Sequence, residues 1–298
     1  MFILPKKVTI IEVGPRDGLQ NEKKEVPTDV KLDFIKGLQK SGIQEMEISS
    51  FVSPKWVPQM KDANEIVSNV EKVGRQFVLT PNLKGVELAK TAGAKSLAVF
   101  VGVSESFNKK NINKTTKESM DDLKPIVEKL LAEGYFVRAC ISTAFYCPYE
   151  GEIKPEATLA LCKEFVSWGV NELSVADTIG MANPMESYTL FSKLLQEFPE
   201  TLITAHFHDT RKMGLANIFA ALSAGVSRFD TSAGGLGGCP FAPGATGNVA
   251  TEDVVNMLEQ MGIDTGIDLD QLLGAVDLVA PYVSRPIETG MYKLFKSK

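Results

Sequence analysis

Both histidines of this 298-residue chain, His206 and His208, fall in the single stretch "HFH". Residues two apart on a strand share a side, so the spacing projects two imidazoles together while Phe207 turns toward the opposite layer. Two imidazoles on one face suit a divalent cation; binding a phosphate or carboxylate is the other chemistry open to the pair. A third ligand is available in "GPRDG" (14–18), where Asp17 follows Arg16. The flanking Gly14, Pro15 and Gly18 predict a bent strand end, so the two charged side chains need not diverge as strict alternation would require. Asn248 adds an amide oxygen. Such a mixed nitrogen and oxygen set leaves positions for water or substrate, and suits six-coordinate Mg²⁺ or Mn²⁺ better than tetrahedral Zn²⁺. Cys239 lies at the centre of "GGLGGCPFAPGATGN" (234–248), a segment holding six glycines. At the active end of an enzyme such a loop reads as a lid, and its thiol could then reach substrate as an acid or base.

The elements that would position these residues are legible as a repeat. Eight short runs rich in β-branched residues, "KVTIIEV", "EMEISS", "QFVLT", "SLAVFV", "FVRACIS", "ELSVAD", "LITAHFH" and "RFDTSA", alternate with longer amphipathic patterns. In "DVKLDFIKGLQKSG", for example, Val30, Phe34, Ile35 and Leu38 share a helical face, and Gly42, Gly134 and Gly169 stand where helices end. Eight strand and helix units favour an α/β fold of the (β/α)8 TIM-barrel type. A doubly wound open sheet is the alternative, but the first turn lacks the GxGxxG spacing that would mark it. The expected organisation is one domain over 1–298, with the barrel at about 7–262 and a C-terminal helical segment (263–298) packed on its outside or bottom. Chemistry in such a barrel collects where strands end. Arg16, Asp17, Glu47, Asp177, His206, His208 and Asp230 are expected to converge on that mouth.

Composition narrows the partners. A net charge of -5 argues against a nucleic-acid surface, although "FNKKNINKTTK" (107–117) is a basic cluster fit for an anionic small molecule. No apolar run is long enough to span a bilayer, and the N-terminal one is too short for a signal peptide. The four cysteines form no CxxC pair, as expected of free thiols in a reducing cytoplasm; Cys140, Cys147 and Cys162 read as structural. Apolar helix faces beyond the barrel predict a homodimer.

Four motifs together, "VGPRDGLQNE" (13–22), "SSFVSPKWVPQM" (49–60), "HFHDT" (206–210) and "GGLGGCPFAPGATGNVATED" (234–253), resemble the 3-hydroxy-3-methylglutaryl-CoA lyase family of divalent-metal barrel lyases. The resemblance runs from the first strand to the eighth helix, and the last motif is its most specific part. It implies metal ligation by Asp17, His206, His208 and Asn248, with Arg16 holding the developing enolate oxygen and Cys239 moving a proton. It further implies that Glu47 and Asp177 lie by the metal and substrate, that Gln20 joins the substrate site, and that Glu252 supports the ligand network. Lys110 and Asn111, in "KKNIN", become candidate contacts to an acyl-CoA. One departure is visible: Arg211, Lys212 and Met213 follow "HFHDT" where relatives commonly carry smaller or less charged residues.

The implied reaction is a retro-Claisen cleavage of 3-hydroxy-3-methylglutaryl-CoA to acetyl-CoA and acetoacetate, with Asp17 or a site histidine such as His206 as the base. Claisen-type synthases share the Arg-Asp and His-x-His elements but need a different glycine loop and a larger C-terminal region. A two-histidine, one-carboxylate iron oxygenase is disfavoured by the βα repeat and by Arg16. A scaffold barrel would leave Arg16, Cys239 and the glycine loop without purpose.

Overall fold

The computed structural model describes residues 4–238 and 247–297. The barrel strands are β1 (Thr9–Glu12), β2 (Glu45–Ser50), β3 (Arg75–Leu79), β4 (Ser96–Gly102), β5 (Phe136–Ser142), β8 (Glu172–Asp177), β9 (Leu202–Phe207) and β10 (Arg228–Thr231). A two-stranded hairpin, β6 (Tyr146–Cys147) and β7 (Gly151–Glu152), follows β5. The eight longer strands are parallel and close in the ring order β1, β10, β9, β8, β5, β4, β3, β2, so the first and last are neighbours. This is the expected TIM barrel, and its strands coincide with the eight runs read from the sequence.

The helices between the strands are α1 (Thr28–Lys40), α2 (Ala63–Asn69), α3 (Leu83–Thr91), α4 (Glu105–Ile112), α5 (Thr116–Ala132), α6 (Pro155–Ser167), α7 (Pro184–Glu197) and α8 (Gly214–Ala224). Beyond β10 come α9 (Thr251–Gln260), α10 (Leu269–Val279) and α11 (Gly290–Lys296). Local sequence sets their ends. Capping boxes start α5 (Thr115 with Glu118) and α7 (Asn183 with Glu186), satisfying amide groups that the first turn leaves over. Gly42, past the end of α1, has a φ of +106°, and a Cβ there would fall 2.2 Å from the Gly266 carbonyl oxygen. Only glycine fits.

Alternation divides each strand between two environments. The outward faces, among them Leu97, Val99 and Val101 of β4 and Ala205 and Phe207 of β9, enter one apolar core with the helices. Phe207 meets the ring of Phe191 on α7 at 5.8 Å, on the side predicted for it. The inward faces are unusually polar. Glu45 and Glu47 of β2, Arg138 of β5, Glu172 of β8, and Arg228 and Asp230 of β10 are linked to one another by ion pairs inside the ring. A small apolar cluster of Ile11, Val13 and Phe77, with Phe136 against it, fills the space beside them.

One local expectation needs correction and another needs extending. Arg16 and Asp17 do not sit on a bent strand end: β1 stops at Glu12, and Gly14–Gly18 forms a single π-helical turn. The Val13 carbonyl accepts from the backbone N–H groups of Arg16, Asp17 and Gly18 at 3.2, 2.7 and 3.1 Å. The C-terminal segment also does more than lie on the outside. While α10 packs against α1, the stretch between α10 and α11 reaches the barrel mouth, where Thr289 donates to Glu252 at 2.5 Å and Arg285 to the Gly237 carbonyl at 2.6 Å.

Candidate active site at the barrel mouth

The π turn after β1 turns Arg16 and Asp17 to the same side. Arg16 donates through Nε to Glu47 at 2.5 Å and through Nη1 to Asp17 at 2.7 Å, while its Nη2 also meets Glu47. Glu47 is fully buried on β2, beside an irregularity in the β2–β3 register between Glu47 and Ser49, the kind of kink that re-aims a side chain. Of the five N–H bonds of the Arg16 guanidinium, three are thereby directed, and two are undirected by the contacts named among the described residues. Burial works against the Arg16 charge, but Glu47 and Asp17 outweigh it, so this group stays cationic. Asp17 also accepts from Gln20 Nε2 and Asn248 Nδ2, each at 2.8 Å. Burial alone would raise its carboxyl; Arg16 and the two histidines hold it low, as a carboxylate.

His206 ends the inward row of β9 and His208 follows just beyond it, with ring centroids 5.3 Å apart. A donor atom from each of Asp17, His206 and His208 lies within 4.8 Å of the others. Asn248 is brought alongside by backbone pairing: its residue bridges to His208, and the Val249 amide donates to the Phe207 carbonyl at 3.1 Å. The stem of the glycine-rich loop needs small residues here. A Cβ on Gly237 (φ +117°) would meet Asn248 Nδ2 at 2.7 Å, and one on Gly247 (φ +99°) would meet the Gly237 carbonyl at 2.6 Å.

The donor set fits a divalent cation. Asn248 Oδ1 and His208 Nδ1 are buried and without a hydrogen-bond partner among the described residues, which is costly unless a ligand satisfies them. His208 is lowered to about 4 by burial and by His206, so it is a neutral imidazole with a lone pair to give. His206 shows the complementary tendency: burial would lower it, but Asp230, 3.1 Å from Nδ1, and Asp17 raise it. Asp230 fixes the ring through Nδ1 and so presents Nε2 to the cluster.

The remaining expected residues take various positions. Asp177, at the end of β8, accepts from the backbone N–H groups of Met181 and Ala182, both at 3.0 Å, and burial pushes it up to about 6. It lies close enough to His206 for their charges to interact, yet both of its oxygens serve its own turn. Glu252, pushed up to about 7 by burial, accepts from the Gly234 amide as well as Thr289, and so ties the loop stem to the C-terminal segment. Lys110 and Asn111 are exposed on α4, whose base is anchored by Asn108 bonding both the N–H and the carbonyl of Gly102. Lys212, in the departing tripeptide, adopts a left-handed φ of +59° and pairs with Asp209. Cys239 lies outside the described residues. Cys140, in contrast, sits 3.9 Å from Glu47, and burial together with that carboxylate pushes its thiol well up, making it inert.

Two groups escaped the sequence reading. Glu12 accepts from Gly14 N (2.7 Å), Ala233 N (2.9 Å) and Thr251 Oγ1 (2.6 Å), bracing the π turn against the loop stem; burial pushes it up to about 8. Arg138 lies beneath the site between Asp230, Glu172 and Glu47. The available signal was alternation: "EME", "VRAC" and "RFD" each place charge on the inward row of a barrel strand.

Comparison with known proteins agrees with this geometry. The HMGL-like family model matches residues 7–279. A hydroxymethylglutaryl-CoA lyase of Bacillus subtilis is 45% identical, over 98% of this chain and 99% of its own. The human mitochondrial hydroxymethylglutaryl-CoA lyase is 47% identical, over 96% of this chain and 88% of its own. The solved structure of an HMG-CoA lyase from Acinetobacter baumannii, in complex with coenzyme A and 3-methylmalate, superposes with a TM-score of 0.92 at 39% identity, covering 98% of this chain and 96% of that one.

Proposed function

The chain belongs to the HMGL-like family, and from that membership we propose that it is a hydroxymethylglutaryl-CoA lyase, a carbon–carbon lyase cleaving 3-hydroxy-3-methylglutaryl-CoA to acetyl-CoA and acetoacetate. The observation that carries the reading is the cluster of Asp17, His206 and His208, with the orphaned Asn248 Oδ1, directly beside a cationic Arg16. Those four residues would hold Mg²⁺ or Mn²⁺, which supplies Lewis acidity toward a hydroxyl and carboxylate.

The chemistry asked of the chain's own residues follows from the bond broken. Cleavage between C2 and C3 requires the C3 hydroxyl to lose its proton, its oxygen becoming the ketone of acetoacetate. Asp17, held as a carboxylate, is the proposed acceptor of that proton; His206, with Nδ1 on Asp230 and Nε2 toward the cation, has no lone pair left for the task. The bonding pair stays on C2 as a thioester enolate, whose oxygen Arg16 meets with its two undirected N–H bonds. Protonation of C2 then gives acetyl-CoA. Cys239, on the glycine-rich loop, is the proposed acid, and Gln20, Glu47, Asp177 and Glu252 keep Asp17, Arg16 and the surrounding turns in place.

An acyl-CoA partner is supported by the coenzyme A complex of the Acinetobacter relative, with Lys110 and Asn111 on α4 as the proposed contacts. No helix among the described residues is long and apolar enough to cross a membrane. A reducing, cytoplasmic setting is supported by the free Cys140, Cys147 and Cys162. Self-association as a homodimer draws support from Met185, Tyr188, Leu215 and Phe219, exposed apolar side chains on the neighbouring helices α7 and α8. The decisive experiment supplies 3-hydroxy-3-methylglutaryl-CoA with Mg²⁺ or Mn²⁺, with and without EDTA, and measures acetoacetate. Metal-dependent release is expected; no release from protein that still binds the metal overturns the reading.

A further inference from the structure

Arg138 is 0% exposed at the centre of the barrel, a permanent cation with no route to water. TIM-barrel interiors are ordinarily filled by layers of branched apolar side chains. Here the guanidinium lies over the Phe77 ring at 5.1 Å and faces three buried carboxylates from three different strands. Its Nη2 bonds both oxygens of Asp230, whereas Nε at 3.4 Å from Glu172 and Nη1 at 3.9 Å from Glu47 make no hydrogen bond among the described residues and act on those carboxylates through charge alone. Buried ion pairs are seldom the most stable filling of a core, because desolvation offsets most of their attraction. Stability alone therefore gives poor reason for a charged layer at this depth.

The connections above Arg138 supply a better one. Asp230 Oδ2 also receives Ser174 Oγ at 2.7 Å and faces His206 Nδ1 at 3.1 Å. Glu47, on the other side, holds Arg16. We propose that Arg138 is a positioning residue for the site: through its bonds to Asp230 it aims the His206 ring at the metal, and through its charge beside Glu47 it adds to the hold on Arg16. One buried cation thus bonds Asp230 and attracts Glu47, touching neither His206 nor Arg16. Below it, Glu172 passes to Arg228, which pairs with Glu45 at the base of the barrel. Those lower pairs close the strands together and do not reach the mouth. The Arg16 arm of this proposal rests on the lyase reading; the His206 arm rests on metal binding alone.

Removing Arg138 by itself strands buried carboxylates, so the test uses the charge-balanced pair Arg138→Met with Glu172→Gln. Partners that orient a metal ligand typically change metal affinity or activity by about 10–100-fold. The pair is expected to weaken Mn²⁺ binding, measured by calorimetry, by that factor, and to lower kcat while leaving KM for the acyl-CoA within about threefold. A second variant, Arg138→Lys, keeps the charge on a shorter side chain without the planar guanidinium that reaches Asp230, and is expected to recover thermal stability without recovering Mn²⁺ affinity. The control pair Arg228→Met with Glu45→Gln, at the barrel base, is expected to bind Mn²⁺ as the parent does. Parental Mn²⁺ affinity in the Arg138 pair, full recovery by lysine, or an equal loss in the control pair overturns the proposal. If the parent releases no acetoacetate but the Mn²⁺ affinities follow this order, the lyase reading fails and the role of Arg138 toward His206 stands.

Discussion

Replacing Arg16 by glutamine separates two contributions that a single measurement would merge. Arg16 faces the position assigned to the enolate oxygen, and losing one such donor costs about 10²–10³ in kcat, or about 2.7–4 kcal/mol. The same side chain also neutralises Glu47, which is 1% exposed and whose one remaining cation among the described residues, once Arg16 is gone, is Arg138 at 3.9 Å. A buried ion pair broken on one side costs about 3–5 kcal/mol, which for a chain of this length lowers the melting temperature by about 5–8 °C. Asp17 suffers less, because Gln20 and Asn248 still donate to it. Arg16→Gln is therefore expected to melt several degrees early and to lose at least a hundredfold in kcat. Adding Glu47→Gln removes the stranded charge. The double variant should regain most of the melting temperature and none of the kcat, as read by calorimetry and by acetoacetate release under saturating Mn²⁺. Recovery of turnover together with stability would refute the reasoning, since Arg16 would then act only as a counter-ion.

Further expectations use other parts of the molecule. His208→Ala removes a neutral ligand and should lower Mn²⁺ retained after dialysis by tenfold or more, while far-ultraviolet circular dichroism stays parental. Glu12 is carried from the ordinary 4.5 to about 8 by burial, so between those values the unfolded chain releases its proton first and folded stability falls with rising pH. Glu12→Gln should abolish a decline of up to roughly 5 kcal/mol across that interval, seen as a flatter plot of melting temperature from pH 5 to 8; an unchanged slope would show Glu12 ionised throughout. Lys31, buried on α1, pairs with Asp62 at 2.9 Å and donates to the Gln59 carbonyl, so Lys31→Met should cost about 3–5 kcal/mol in denaturant unfolding while leaving kcat within twofold.

The fold was legible because each barrel strand is a short β-branched run bounded by helical periodicity, and because Gly42, Gly134 and Gly169 mark helix ends with positive φ. The histidine pair was equally plain, since alternation on β9 is a local property. What escaped depends on partners distant in sequence. The π turn at Gly14–Gly18 exists because Glu12 and the Val13 carbonyl gather its amides while Gly18 lets Leu236 and Ser232 approach within 2.9 Å of where a Cβ would sit. Nothing within "GPRDG" announces those neighbours. The β6–β7 hairpin is too short for periodicity to register. Arg138 reads as an interruption of a strand until Asp230, 92 positions later, is known to face it. The C-terminal segment looked peripheral because its contacts to Glu252 and Gly237 are made by single polar residues rather than by a pattern.

The charged interior also bears on how the chain reaches its folded state. Its pairs join β5 to β10 and β10 to β2, across separations of 92 and 183 residues. An assembly of β1 to β5 already holds Arg16 against Glu47 and Arg75 against Glu45, yet it encloses Arg138 before β8 and β10 bring the carboxylates of Glu172 and Asp230 to it. Partial barrels are penalised in proportion to how dry they become, whereas a purely apolar interior would reward each added strand. Docking of β8 and β10 is thus the step that compensates the buried Arg138, and it couples the last strands of the ring to the fifth.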